Sequence, residues 1–237
     1  MSSEMQVDYV DHMGSDLSVV NAARVSFHKE SDWDIEYDDP VGITTKEVIK
    51  PGDAKLIAFL AREKHELPFA HATVSLRIKA PIFVARQLGK HQVGLVWNEV
   101  SRRYVSSEAE FYTPSSWRAK AENVKQGSSE SEEVEYLGLR GFERNGIRGA
   151  YQRLLDHAID LYNKMIEEGV CPEQARMVLP QSMMTEWIWT GSLLAFARTC
   201  NLRLDSHTQK ETQEVAKMIS DIIAPLYPVS WKALVDV

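Results

Sequence analysis

The chain has 237 residues, 44% hydrophobic and 26% charged, an ordinary globular composition with enough material for a sizeable core. No apolar run is long enough for a membrane span or a secretory leader, so a cytoplasmic protein with no membrane partner is expected. Twenty-seven basic against 34 acidic residues give a formal charge of −7, which argues against duplex nucleic acid as the main partner and confines any anion site to a local cluster; no nucleic-acid partner is expected.

In chain order, residues 22–27 lead into the acidic stretch 30–39, read as a solvated loop. Leu56, Phe59 and Leu60 have helical spacing, and Gly52-Asp53 supplies a start, so a helix is expected from 53 to about 64. From 71 to 79, Thr73, Ser75 and Arg77 alternate with Val74, Leu76 and Ile78, the period of a half-buried strand. Pro81 suits the first turn of a following helix whose buried side would be Ile82, Phe83, Ala85 and Leu88. Residues 119–139, polar and centred on Gln126-Gly127-Ser128-Ser129-Glu130-Ser131-Glu132-Glu133, read as a mobile insertion or linker within a single 1–237 domain.

Tyr151, Leu154, Leu155, Ala158, Tyr162, Met165 and Ile166 recur at three- and four-residue steps and predict an amphipathic helix closed by Gly169. A further helix is expected over 173–178, before Pro180. The apolar, tryptophan-rich stretch 183–200 should be buried against other elements or another subunit. Ser206, with Gln209 three residues on, makes a capping-box start for a helix that turns Val215, Met218, Ile219 and Ile222 inward.

Chemistry concentrates in residues 85–104. Three arginines, a lysine, a histidine, two glutamines, an asparagine, a glutamate and a serine are interleaved there with apolar residues, which suits a local anion site better than a solvated face. Arg176 and Arg203 sit among apolar neighbours, and a buried arginine is costly unless it meets an anion or a carboxylate. His65 and His71 flank a proline at a spacing of six, which does not make the helical zinc pair of a metalloprotease, and no metal is expected. Asp205-Ser206-His207 holds the letters of a hydrolase triad, but adjacent residues point in different directions. Cys171 and Cys200 form neither a disulfide framework nor a ligand pair, and Cys200 is expected in the core.

Three segments in order, HATVSLRIKAPIFVARQ (71–87), NEVSRRY (98–104) and NLRLDSHTQ (201–209), closely resemble the flavin-dependent thymidylate synthases, with weaker likeness at 22–27, 65–71 and 175–180. The resemblance implies an α/β (α+β) fold with a mixed sheet and long helices, assembled as a homotetramer with active sites between subunits. It implies methylation of dUMP to dTMP, with methylenetetrahydrofolate as carbon donor and NADPH as reductant through FAD. Carried over residue by residue, Gln87, Lys90, Glu99, Ser101, Arg102, Arg103, Arg176 and Arg203 fall at the dUMP site, and Arg203 takes the position that activates the uracil ring. His65, Lys90, His91, Gln92, Glu99, Ser192, Arg198 and His207 fall at or near positions associated with flavin.

Departures from the family pattern concern the flavin side. Lys90-His91-Gln92 stands where Arg-His-Arg is usual, and eight residues, 93–100, precede the motif serine where the family has seven. Ser192, Leu194 and Arg198 replace the usual Asn, Arg and Asn, which suggests that a flavin-facing cation has moved to Arg198. Two other readings stay open: a catalytically silent nucleotide-binding relative, and a single-stranded nucleic-acid binder using Arg102 and Arg103 with Trp97 and Tyr104.

Overall fold

The computed structural model describes residues 3–37, 45–104, 108–121, 128–135 and 146–235. In chain order the elements are β1 (Gln6–Met13), α1 (Asp16–Arg24), β2 (Asp34–Tyr37), β3 (Thr45–Val48), α2 (Pro51–Arg62), β4 (Thr73–Pro81), α3 (Ile82–Leu88) and β5 (Leu95–Glu99). Then follow β6 (Arg118–Lys120), β7 (Ser128–Glu133), α4 (Gly146–Glu167), α5 (Pro172–Ala175), β8 (Met184–Ser192), α6 (Leu193–Arg203), α7 (Lys210–Ile223) and α8 (Pro228–Leu234).

Alternation builds the centre. Val74, Leu76, Ile78 and Ala80 of β4 are buried while Arg77 is exposed, and Trp187 and Trp189 of β8 turn to the same interior. The main sheet runs β1-β4-β8-β5 with every pair antiparallel. The mixed sheet implied by the resemblance is therefore corrected: each neighbouring pair among the described residues runs in opposite directions, and the class is α+β. Helices α1, α2, α3, α6, α7 and α8 add to the core through residues such as Val19, Ile57, Leu88, Phe196, Ile219 and Trp231. Each large side chain so buried contributes roughly 1.5–3 kcal/mol relative to exposure.

Aromatic packing locks β5 onto β8. Trp97 stacks on Trp187 with ring centroids 4.2 Å apart, and Trp189 meets Trp97 and Phe196 edge-on. Gly191 is required at this seam, since a Cβ there would come within 2.4 Å of Leu95 Cδ2 and 2.6 Å of the Gly94 carbonyl. Two buried carboxylates tie distant helices together. Asp16 accepts from the backbone N–H groups of Val229 and Ser230 at 2.9 and 2.8 Å, capping α8 from the start of α1. Asp53 accepts from Arg24 and Ser31. Burial pushes the Asp53 pKa up, but Ser31, Arg24 and Lys50 outweigh it and hold the carboxyl below its ordinary 3.8.

Several local expectations are corrected. Part of the acidic stretch is a strand: β2 pairs with β3 in an exposed hairpin, residues 38 and 39 lying outside the described set. Helix α2 starts at Pro51, ahead of Asp53, and ends at Arg62. Pro81 closes β4 and caps α3 instead of sitting inside its first turn, and Val84, not Ile82 or Phe83, is fully buried with Ala85 and Leu88. Within the stretch read as an insertion, Ser128–Glu133 forms a strand on Arg118–Lys120; residues 122–127 and 136–139 lie outside the described set. Helix α4 exists as expected, with Gly169 at φ +85°, but Leu154 and Ile166 face outward with Leu161. Ser206 does not cap α7, which begins at Lys210 behind Gln209. Residues 173–178 are helical as α5 and a short 3-10 turn, and Cys200 is buried in the core.

Candidate active site

The last turn of α3 and the last turn of α6 converge. Arg203 Nε donates to His91 Nε2 at 2.9 Å and its Nη2 to the Gln87 carbonyl at 3.4 Å, joining two segments that the sequence holds far apart. A ring nitrogen that accepts from a guanidinium needs its lone pair, so the His91 imidazole is neutral with its proton on Nδ1. Burial, and then the charge of Arg203, lower the His91 pKa from its ordinary 6.5. Burial also lowers the Arg203 pKa from 12.5, although a guanidinium stays charged in proteins.

Around this contact lies a cavity of about 480 Å³ whose wall includes Gln87, Lys90, Arg203 and His207. The buried Gln87 Oε1 has no hydrogen-bond partner among the described residues, and it is an acceptor that a substrate amide N–H would satisfy. The same cavity is lined by a group that sequence reasoning missed. Arg118 donates to Ser128 Oγ at 2.8 Å and to Glu211 at 2.6 Å, and Gln209 donates to Glu211 at 3.1 Å. Arg118 stands immediately before the segment read as a linker and meets Glu211 across 93 residues of sequence, so no local signal could have paired them. Burial, and then neighbouring Glu211, raise the Glu214 pKa; burial with Glu211 and Glu214 pushes the Tyr112 phenol up to about 12.

A second cavity, of about 570 Å³, sets Arg86, Lys90, His91 and Gln92 against an apolar wall of Leu95, Trp97 and Trp189, with Glu99 also lining it. The third, of about 520 Å³, is lined by Glu99, Arg102 and Arg176 together with Lys79, Glu110, Glu173 and Glu186. Lys90 is common to the first and second, and Glu99 to the second and third, so the three form a chain of cavities. Glu99 is fixed in place by donors on either oxygen, Thr185 Oγ1 at 2.6 Å and Trp97 Nε1 at 3.2 Å. Lys79 and Ser3 donate to Glu110 and lower its pKa. Arg103 donates to Ser101 Oγ at 3.2 Å, covers the Tyr104 ring at 5.0 Å and lies 3.7 Å from Glu173.

Arg176 is exposed, against the expectation from its apolar neighbours: Ala175 points into the core while Arg176 and Met177 turn out on the short 3-10 helix. His65 and Arg198 stand apart from the three cavities. His65 is exposed and meets Phe59 edge-on at 5.8 Å, while Arg198 pairs with the adjoining Glu66. Ser192 serves as the cap of α6, its Oγ accepting from Ala195 N at 3.2 Å. Asp205 accepts from the His207 backbone N–H at 2.8 Å in a tight turn, not from an imidazole in a triad. The Cys200 thiol is pushed up to about 12 by burial, which removes it as a thiolate nucleophile.

Residues 8–229 match the family model described as "Thymidylate synthase complementing protein". The flavin-dependent thymidylate synthase of Thermosipho melanesiensis is 36% identical over 94% of this chain and 87% of its own length. One from Thermus thermophilus is 37% identical over 96% of this chain and 74% of its own. A crystal structure of the UMP/dUMP methylase PolB from Streptomyces cacaoi bound with 5-Br dUMP aligns with a TM-score of 0.73 at 28% identity, covering 98% of this chain and 94% of that one.

Proposed function

The chain belongs to the flavin-dependent thymidylate synthases, and we propose that it methylates dUMP to dTMP, with methylenetetrahydrofolate as carbon donor and NADPH as reductant through FAD. The observation that carries the reading is the half-buried Arg203, held by His91 and the Gln87 carbonyl at the wall of a cavity. Placed beside a uracil ring, a fixed guanidinium stabilises the negative charge that develops at N3 and O4 and so raises the nucleophilicity of C5. No protein nucleophile is needed: Cys200 is buried, and the Ser101 Oγ accepts from Arg103, a cation that cannot serve it as a base.

Gln87 and Lys90 would hold the pyrimidine end of dUMP, and Ser101, Arg102, Arg103 and Arg176 its phosphate, with Glu99 between the two groups. The chemistry of the second cavity fits a flavin. Lys90 answers an anionic diphosphate, Trp97 and Trp189 offer an apolar surface for a flat ring, and His91, Gln92 and Glu99 add polar contacts. When bound, the flavin supplies the reducing equivalents for the transferred carbon. His65 and Arg198, which lie away from these cavities, would meet it from a second copy of the chain, together with Ser192 at the start of the helix that carries Arg198, while His207, which lines the first cavity with Lys90, would meet it within one copy. Leu154, Leu161 and Ile166, exposed along α4, supply apolar surface for such a homotetramer. A cytoplasmic location belongs to the same proposal, and no helix among the described residues is long and apolar enough to cross a membrane.

The test supplies dUMP, methylenetetrahydrofolate, NADPH and FAD to the purified full-length protein and follows dTMP. Turnover that disappears in Arg203→Ala while FAD stays bound supports the proposal. A folded, flavin-loaded protein that makes no dTMP overturns it.

A further inference from the structure

We infer that His91 is a positioning residue for Arg203, an uncharged acceptor that sets the direction of the guanidinium without neutralising it. This rests on the reading of Arg203 as the group that polarises the pyrimidine. Arginine ends a long flexible stem, and a cation free to rotate would have to reorganise at the moment charge develops. Here one edge of the fork is occupied on both atoms: Nε by His91 Nε2 at 2.9 Å and Nη2 by the Gln87 carbonyl at 3.4 Å. Those are the contacts Arg203 makes among the described residues, so its Nη1 edge is left for a ligand.

The choice of partner is informative. A carboxylate would hold the same edge but would cancel the charge on which polarisation depends. A neutral imidazole fixes the plane and leaves the full positive charge available to the substrate. The surroundings favour that neutral state. Arg86 and Lys90 flank His91 on its own segment, Arg203 meets it from α6, and His207 with Lys210 reach the shared wall from the turn before α7 and its start. Arg118 also lines the first cavity, while the carboxylates there and in the second cavity are Glu211 and Glu99, the former already paired with Arg118. Protonating His91 would remove the acceptor and set a second cation against the first, so both the orientation and the charge balance of Arg203 would be lost together.

The test compares His91→Ala and His91→Gln in the full-length, flavin-loaded protein, reading kcat, KM for dUMP, bound FAD and the pH profile. Gln carries a carbonyl oxygen that can replace Nε2 as acceptor. His91→Ala should lower kcat per bound flavin about 100-fold, the size of effect that misplacing a catalytic group produces, with KM for dUMP within about threefold of the parent. His91→Gln should recover at least about tenfold of that loss. The parent's kcat should fall below pH 6.5 as His91 protonates, and that acid limb should vanish in His91→Gln, which has no proton to gain there. In an Arg203→Ala background, His91→Ala should cost nothing further. The inference is overturned if His91→Gln is no better than His91→Ala, or if His91→Ala loses FAD while turnover per bound flavin is unchanged. Should Arg203→Ala keep full turnover, the reading of Arg203 itself fails. Should Arg203→Ala be inactive and His91→Ala fully active, the positioning role alone fails.

Discussion

The two ends of the chain of cavities are built differently. At one end Arg203 is half-buried, its guanidinium anchored on two atoms before any substrate arrives. At the other, Arg176 is exposed, and the cations there stand among the carboxylates Glu108, Glu110, Glu173 and Glu186. A group that stabilises charge developing in a transition state works best when already fixed, because any reorganisation adds to the barrier. Groups that collect a phosphate can surrender provisional partners instead. The exposed Arg103–Glu173 pair, 3.7 Å apart, is worth less than about 1 kcal/mol and yields to a phosphate at little cost.

The contrast breaks most visibly at Arg203. Replacing it with alanine should lower kcat about 100- to 1000-fold with dUMP still bound, since a preorganised charge is lost from the transition state. Arg176→Ala should act on the other quantity, raising KM for dUMP about tenfold with kcat nearly unchanged, the value of one charge-assisted contact made equally in ground and transition states. Steady-state kinetics at varied dUMP separates the two. Arg198→Ala should weaken FAD about threefold by equilibrium titration, because its pairing with Glu66 is exposed and can be exchanged for a flavin contact cheaply. No change in FAD affinity would leave Arg198 as a surface ion pair.

A smaller effect reports on the built end alone. Since the folded protein holds the His91 pKa below 6.5, the unfolded chain takes up a proton first as pH falls. The stability is therefore complete above pH 6.5 and declines as pH drops through the folded value. Thermal melts between pH 7 and 5 should show a shallower decline in His91→Gln than in the parent. An identical slope in both would mean that His91 carries no such linkage.

Much of the framework can be read from the sequence because one face of an element is buried and the other is not. That asymmetry writes the alternation of 73–79 and the three- and four-residue steps of α4. The acidic hairpin escapes the same reading: its described side chains in β2 are exposed on both faces, so no alternation marks it. Ser128–Glu133 is equally polar and pairs as a strand regardless. Neighbours in sequence mislead where the chain turns tightly. Arg176 follows a fully buried alanine yet points outward, and Ser206 lies in the turn ahead of the helix it was expected to cap. Family likeness locates Gln87, His91 and Arg203 singly, but their mutual contact is a property of the fold. The same holds for Arg118 with Glu211 and Arg24 with Asp53, pairs closed by packing across long stretches of chain.

The most direct measurement is dTMP formation at saturating dUMP by Arg203→Ala and Arg176→Ala, each compared with the parent at equal bound flavin. The account predicts a loss of about 100-fold or more for Arg203→Ala and a rate within about threefold of the parent for Arg176→Ala. Equal losses in the two variants, or the larger loss at Arg176, would contradict it.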